Sequence, residues 1–372
     1  MRNVSKEQKE IKEKLISQYL EKKDTYESLG KKLVDLIKDM MKCENIDYQT
    51  ITHRIKDEKS FDDKITKKQK YDDEKKKYKY SDINDITDVC GIRIITSYSD
   101  TVYRVAEVIS KQFKVDEENT IDKIKAMDPD KFGYLSLHYV ISLNEERFKL
   151  TEYSKYKDMK VEIQIRSISQ HAWAEIEHDL GYKNEVTVPR EIRRDFYRLA
   201  GLLELVDKEF IDIREKLSLY KNDIEKHIDK PEKDIYIDSV SLKLYIKNSD
   251  YFDKLCEQIS IELNLHLSNT YIEEYDYSRL IKSLNYAGFN TIQEIDKFII
   301  ENKNEISNYA KITSEFNNHE ILYKILVLWD VIEYTIFKNT SYDGLYKYLV
   351  ESNETPLNVV EDSIARLKYL IS

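Results

Sequence analysis

Charged and amide side chains alternate with apolar ones at the start of residues 161–183, VEIQIRSISQHAWAEIEHDLGYK. Glu162, Gln164 and Arg166 fall between valine and isoleucine residues, which is the period of two of a strand with one polar face. A carboxylate close to an amide and a guanidinium can bind a metal ion or take part in proton transfer. A plain solvated strand face would show the same alternation, so this strand alone does not decide between the two.

The spacing changes directly after this strand. His171, Glu175 and His178 recur at i, i+4 and i+7, which places them on one side of a predicted helix that Ser167 or Ser169 would cap. This helix would bring further charged groups to the end of the strand. The trio could also be a transition-metal site, although its spacing differs from the HExxH pattern.

Two earlier stretches carry the same mixture of chemistry and strand pattern. In DITDVCGIRIITS, residues 85–97, Asp88 and Arg93 flank Gly91, one of only seven glycines, beside a β-branched run typical of a buried strand. In FGYLSLHYVISL, residues 132–143, polar and apolar residues alternate after Gly133. The polar set of that stretch is Tyr134, Ser136 and His138.

The order and spacing of these motifs resemble the synthetase domain of the RelA/SpoT family of alarmone synthetases. The shared pattern is Asp-x-x-Gly-x-Arg, Gly-Tyr-x-Ser-x-His and Glu-x-Gln-x-Arg, followed by His-x-Trp-Ala-x-x-Glu-His and Tyr-Lys, which ends here at Lys183. The resemblance implies an α+β fold with a nucleotidyltransferase-like mixed sheet flanked by helices. It also implies an ATP-dependent pyrophosphokinase, which moves the β,γ-diphosphate of ATP to the 3′-hydroxyl of GDP or GTP and releases AMP.

The same resemblance assigns roles to individual residues. The catalytic set is Asp88, Arg93, Glu162, Gln164 and Arg166, with Asp88 and Glu162 as ligands of Mg²⁺. The residues on the side of the acceptor nucleotide are Tyr134, Ser136, His138, His171 and Glu177. Hard carboxylate oxygens suit Mg²⁺, which agrees with this assignment.

A basic segment precedes the Asp88 strand. By resemblance, it binds the phosphates and adenine of ATP through Arg54, Lys56, Ser60, Lys64 and Lys67. Several cations are needed because a triphosphate carries about four negative charges, and charged nitrogen donors bind its oxygens strongly. Ser60 is expected to cap the helix that carries the lysines.

Composition limits the classes of protein that fit. The chain has 372 residues, a net charge of −10, 41% hydrophobic and 35% charged residues, which excludes a generic nucleic-acid or anionic-membrane binder. Three scattered cysteines indicate a reducing cytoplasm, and no apolar run reaches the length of a transmembrane helix. We therefore expect a cytoplasmic protein without a membrane partner.

Patterning along the chain predicts four parts. Residues 1–45 form an N-terminal helical segment, 46–185 the synthetase domain, 186–230 a helical extension and 231–372 an all-helical accessory or regulatory domain. Proline at position 231 interrupts a charged stretch and marks the last boundary. The accessory domain shows no catalytic motif, so we expect a regulatory role, with a protein regulator acting through it, and we also expect a homo-oligomer.

Three other functions fit parts of the sequence. Position 135 is leucine and position 130 aspartate, where the family often has arginine and lysine, so the acceptor could instead be the 3′ end of tRNA or an adenosine nucleotide. The accessory domain would then act as a built-in antitoxin or sensor. A degenerate synthetase fold acting only as an interaction module is less favoured, because both acids are present. No histidine precedes position 53, so we expect no alarmone hydrolase activity.

Overall fold

The computed structural model describes residues 6–72, 77–122, 136–182, 190–268, 276–314 and 321–352, together with Val360, Glu361 and Ile364. By their internal contacts, residues divide into two compact units, Met1–Arg214 and Glu215–Ser372. The division falls inside a long helix, whereas the sequence predicted a boundary at 230. The boundaries that the sequence predicts for the four parts of the chain remain predictions.

The first unit contains all of the main sheet. Its elements in chain order are α1 (Lys6–Cys43), β1 (Thr50–Ile55), α2 (Glu58–Lys68), β2 (Tyr71–Asp72), β3 (Lys77–Tyr78), β4 (Cys90–Thr96), α3 (Ser99–Gln112), β5 (Lys114–Val115), β6 (Ile121–Asp122), β7 (Leu137–Ser142), α4 (Glu145–Phe148), β8 (Val161–Ser167), α5 (Ile168–Tyr182) and the start of α6 (Arg190–His227).

A six-stranded mixed sheet organises this unit. The strand order is β1-β4-β8-β7-β5, and β6 pairs with β7 beside β5. Only the pair β4 and β8 is parallel, whereas the other pairs of this sheet are antiparallel. The predicted α+β fold with a mixed sheet flanked by helices is therefore confirmed.

One face of the sheet is buried under helices. Four isoleucines, Ile92 and Ile94 of β4 and Ile163 and Ile165 of β8, are at most 1% exposed and share a core with the apolar stripes of α1 and α3. Each such buried side chain stabilises the fold by roughly 1.5–3 kcal/mol. Since alternate residues of a strand point to opposite faces, the polar residues of β4 and β8 lie on the other face.

The second unit is mainly helical, as predicted. Its elements in chain order are the end of α6, α7 (Ser239–Asn248), α8 (Asp250–Leu263), β9 (His266–Ser268), α9 (Tyr277–Ala287), α10 (Ile292–Ser314), β10 (Ile321–Tyr323) and α11 (Lys324–Lys347). The parallel pair β9 and β10 was not predicted, because three residues are too few to show a period of two. Among the helices in the described ranges, none combines the length and apolarity needed to span a bilayer.

Candidate active site

Polar side chains from neighbouring strands form rows across the uncovered face of the sheet. In one row, Arg54 of β1 pairs with Gly91 of β4, and Gly91 pairs with Glu162 of β8. A Cβ atom at Gly91 would lie 3.8 Å from Cγ and Nε of Arg54, so the arginine passes close over the glycine. Arg54 therefore lies over Gly91, next to the strand that carries Glu162.

The next row supplies partners to Glu162. His138 of β7 and Arg93 of β4 both pair with Gln164 of β8. Nδ1 of His138 lies 3.1 Å from Oε1 of Glu162, and Nε2 of Gln164 donates to Oε2 at 3.0 Å. Glu162 is only 20% exposed at its side chain.

Glu162 is held in its ionised form. Burial alone would raise the pKa of Glu162, but the hydrogen bond and charge of His138, aided by Gln164, outweigh burial and lower it. An ionised carboxylate can only accept hydrogen bonds, so Nδ1 of His138 is the donor. The arrangement leaves an oriented, charged carboxylate on the open face of the sheet, which suits acid–base or metal chemistry.

A second carboxylate, Asp88, lies just before β4. Nζ of Lys64 lies 2.6 Å from Oδ1 of Asp88, and Nζ of Lys56 lies 3.0 Å from Oδ2. Burial would raise the pKa of Asp88, but the two ammonium groups outweigh it and the pKa is lowered. The pKa of Lys64 is itself lowered, because its burial outweighs the attraction of Asp88. The ammonium groups of Lys56 and Lys64 and the carboxylate of Asp88 therefore form one partly buried cluster of charges.

Local structure explains how the two lysines reach Asp88. The amide of Lys56 donates to the carbonyl of Val89 at 3.0 Å, which extends the pairing of β1 and β4 by one bond. Lys64 lies on α2, whose N-cap is Asp57, because the Asp57 side chain accepts from the amide of Ser60. The prediction that Ser60 caps this helix is wrong, since Ser60 lies in the first turn and its hydroxyl donates to Asp57 at 2.6 Å.

At the other end of the open face, Glu175 of α5 meets two arginines. Its Oε1 lies 3.0 Å from Nη2 of Arg93 and 3.9 Å from Nη1 of Arg166. Arg166 is only 6% exposed, and its Nη2 donates to Oε1 of Gln164 at 3.0 Å. Nδ1 of His171 lies 3.7 Å from the same glutamate oxygen, and burial together with the charge of Arg93 lowers the pKa of His171. A continuous polar network thus connects α5 with Glu162.

Comparison with known proteins identifies the part of the chain that carries this site. Residues 53–187 match the family model described as the region found in RelA/SpoT proteins. We refer to residues 53–187, which match this model, as the RelA/SpoT region. It contains the second half of β1, all of β4, β7 and β8, and both carboxylates, so the network described above belongs to it.

Two curated relatives of the RelA/SpoT region come from Bacillus subtilis (strain 168). The GTP pyrophosphokinase YwaC is 31% identical over 134 residues, which cover 36% of this chain and 60% of the relative. The GTP pyrophosphokinase YjbM is 31% identical over 136 residues with the same shares. The match thus spans about 60% of the length of these relatives.

Solved structures also resemble the chain. The small alarmone synthetase 1 from Bacillus subtilis matches with 26% identity and a TM-score of 0.42, over 52% of this chain and 94% of that protein. A GTP pyrophosphokinase family protein from Streptococcus pneumoniae matches with 24% identity and a TM-score of 0.40, over 55% of this chain and 93% of that protein.

The RelA/SpoT region brings together only part of the predicted site. Lys67 is exposed, and its Nζ lies 3.8 Å from Oδ2 of Asp63 rather than beside Asp88. Glu177 is exposed on α5, whereas Ser136 is fully buried directly before β7. Tyr134 lies outside the described residues, and so do positions 130 and 135. The roles of these residues in nucleotide binding stay predictions.

The proposed transition-metal trio is only partly visible. His171 and Glu175 approach each other, but the side chain of His178 is not among those described. Within the described ranges, no group of three or more histidine, cysteine or acidic side chains is arranged to hold a metal ion.

Sequence reasoning missed one residue that supports the end of β8. Asp207 of α6 is 5% exposed and accepts a hydrogen bond of 2.6 Å from the hydroxyl of Ser167, where β8 ends. Ser167 also forms a capping box with Gln170, because each side chain accepts from the other residue's amide. Of the two predicted caps, Ser167 is therefore the right one. No local pattern points to Asp207, which is 40 residues away along the chain.

Proposed function

We propose that the RelA/SpoT region transfers the β,γ-diphosphate of ATP to the 3′-hydroxyl of GDP or GTP and releases AMP. The observation that carries the proposal is a pair of ionised carboxylates close enough to influence each other, Glu162 on the open sheet face with His138 and Gln164, and Asp88 just before β4 with Lys56 and Lys64. Both curated relatives are named GTP pyrophosphokinases, which supports the same reaction class.

The donor nucleotide fits the side of the site that carries cations. Lys56, Lys64 and Arg54 lie at neighbouring positions around Asp88 and Gly91, where a triphosphate could accept charge-assisted hydrogen bonds. Phosphates would draw the two ammonium groups away from Asp88. The lysines would thereby neutralise ATP, and the carboxylate oxygens would become available to another cation.

The acceptor nucleotide is assigned to the side of Glu162. The 3′-hydroxyl oxygen attacks the β-phosphorus of ATP, and the bond from this phosphorus to the oxygen bridging the α-phosphate breaks, so that AMP leaves. We assign to Glu162 the role of accepting the hydroxyl proton, and the Nδ1–H of His138 supports this by fixing the orientation of the carboxylate. Transfer of this kind depends chiefly on alignment and on charge neutralisation, to which an oriented carboxylate contributes.

Magnesium fits the donor set of this site. Asp88 lies two residues before β4, and Glu162 pairs with Gly91 near the start of β4, so two hard oxygen donors lie near the same end of this strand pair. Mg²⁺ in phosphoryl-transfer sites commonly uses one or two carboxylates together with substrate phosphates. We assign Asp88 and Glu162 to it, and bound Mg²⁺ would supply neutralisation of the phosphate charge.

The setting of the enzyme and its further partners are also proposals. The described cysteines Cys43, Cys90 and Cys256 are free thiols, which suits the reducing cytoplasm that we infer. The helical second unit lies outside the matched segment 53–187, and we assign it to regulation, by a protein partner or through a homo-oligomer.

An acceptor screen tests the proposed function. The full-length protein, Mg²⁺ and γ-labelled ATP are incubated in parallel with GDP, GTP, ADP and deacylated tRNA, and the labelled products are separated. Label on GDP or GTP, absent with Glu162→Gln, is the expected result. Label only on tRNA would support the toxin-type alternative that the leucine at position 135 suggests. No labelled product with any acceptor would contradict the proposed enzyme class.

A further inference from the structure

Glu175 occupies an unusual position, because one carboxylate oxygen faces two arginines of the proposed catalytic set. Nη2 of Arg93 on β4 lies 3.0 Å from it in an ion pair, and Nη1 of Arg166 on β8 approaches to 3.9 Å. The Glu175 side chain is 52% exposed, whereas that of Arg166 is 8% exposed. Glu175 thus lies where α5 borders the sheet. Its negative charge faces the guanidinium groups of Arg93 and Arg166, whose side chains are less exposed than that of Glu175.

The contacts of Arg166 lead from Glu175 to Glu162. Nη2 of Arg166 donates to Oε1 of Gln164. Because this oxygen faces Arg166, the NH₂ group of the same amide points away from Arg166. That NH₂ donates to Oε2 of Glu162 at 3.0 Å. The orientation of Arg166 therefore fixes the orientation of Gln164, which in turn supports the ionised carboxylate.

The placement of Arg93 adds a second effect. Arg93 pairs with Gln164 in the sheet, two residues from Glu162 on the same face, so a carboxylate other than Glu175 is close to it. A guanidinium forms strong bidentate pairs with carboxylates. Without the charge of Glu175, Arg93 would be drawn towards Glu162 and would compete for the oxygens that the acceptor hydroxyl or Mg²⁺ needs.

We propose that Glu175 is a positioning residue, which holds Arg93 and Arg166 on the α5 side of the site so that Glu162 keeps His138 and Gln164 as its partners. Its effect on turnover rests on the proposed pyrophosphate transfer. Its effect on the two guanidinium groups does not, and this difference allows the two proposals to be tested separately.

The test compares Glu175→Gln and Glu175→Asp with a matched control, Glu107→Gln. Glu107 is also an exposed helical glutamate with one cationic partner, Lys111, but it lies on α3 away from the site. Arginine side-chain NMR of the full-length protein reports whether the guanidinium groups of Arg93 and Arg166 rotate slowly, as they do in a fixed ion pair. Steady-state assays with ATP and the acceptor found in the screen give kcat and KM separately.

Glu175→Gln is expected to speed rotation of the Arg93 guanidinium and to lower kcat by about 10–100-fold, with KM for ATP changed by less than about threefold. Glu175→Asp, which keeps the charge, should recover part of both effects, and Glu107→Gln should change neither. Unchanged arginine signals in Glu175→Gln would overturn the proposal, and so would an unchanged kcat in an active enzyme. If the wild-type protein transfers no pyrophosphate, the proposed function fails, and the NMR comparison alone decides the role of Glu175.

Discussion

Lys64 and Asp88 are partners in the structure, with Nζ of the lysine 2.6 Å from Oδ1 of the acid. The proposed function gives these groups different ligands, the triphosphate of ATP for Lys64 and Mg²⁺ for Asp88. When ATP and Mg²⁺ bind, the Lys64–Asp88 ion pair must therefore be replaced by a contact of Lys64 with the triphosphate and a contact of Asp88 with Mg²⁺. Because both groups are already paired and partly buried, little reorganisation of the fold is needed to present them.

Lys64→Gln should weaken ATP binding. The variant loses a charge-assisted donor worth roughly 1.5–3 kcal/mol, so KM for ATP is expected to rise by about 10–100-fold. Steady-state kinetics with varied ATP measures this directly. Lys59→Gln on the exposed side of the same helix is the control and should alter KM by less than about twofold. Equal effects of the two substitutions would argue against a role for the Lys64–Asp88 position in ATP binding.

Ser167→Ala should destabilise the first unit. The hydroxyl of Ser167 donates to the buried Asp207 and caps α5, and the substitution removes both contacts. The expected loss in the free energy of unfolding is about 2–4 kcal/mol, the sum of a lost hydrogen bond to a charge and a lost cap. Urea denaturation measures it, with Ser110→Ala as an exposed control that should change stability by less than about 0.5 kcal/mol. A loss that small in Ser167→Ala would contradict the assigned contacts.

The second unit should become less stable as pH rises through neutrality. Asp296 is 7% exposed and accepts a hydrogen bond from Tyr245. Burial, aided by the charge of Asp229 and opposed by that hydrogen bond, raises the pKa of Asp296 from 3.8 to about 7. The folded state therefore holds a proton that the unfolded state has released between these values. The resulting stability is fully present below pH 3.8 and is lost as pH rises through about 7.

Asp296→Asn removes this titration while keeping an oxygen that can accept from Tyr245. Between pH 5 and pH 8, the wild-type unit should lose about 2–3 kcal/mol more unfolding free energy than the variant. Urea unfolding followed by Trp329 fluorescence in a Trp173→Phe background measures this, because the chain has two tryptophans, one in each unit. Glu301→Gln, an exposed acid of the same helix, serves as the control. The same pH dependence in Asp296→Asn and wild type would exclude Asp296 as its source.

The sequence was sufficient for the elements that show a regular period. Alternation in 161–167 predicts β8, and the motif residues Arg93 and Gln164 lie opposite each other on one sheet face, where β4 and β8 pair in parallel. Pairings between distant residues could not be predicted, since period and propensity carry no information about contact. Glu175 and Asp207 show this limit, because each acquires its role from a partner on another element. Ser60 shows a different limit, because Asp57 is also a favourable N-cap residue and is the one that caps α2.

The stoichiometry of transfer tests the central claim most directly. Wild-type protein and Glu162→Gln are given γ-labelled ATP, Mg²⁺ and the accepted nucleotide, and AMP, ADP, free phosphate and labelled product are counted together. The wild type should form one AMP for each labelled 3′-diphosphate, and Glu162→Gln should slow this by about 10²–10⁴-fold while its circular dichroism stays unchanged. Formation of ADP with free labelled phosphate, or equal rates in both proteins, would contradict pyrophosphate transfer at Glu162.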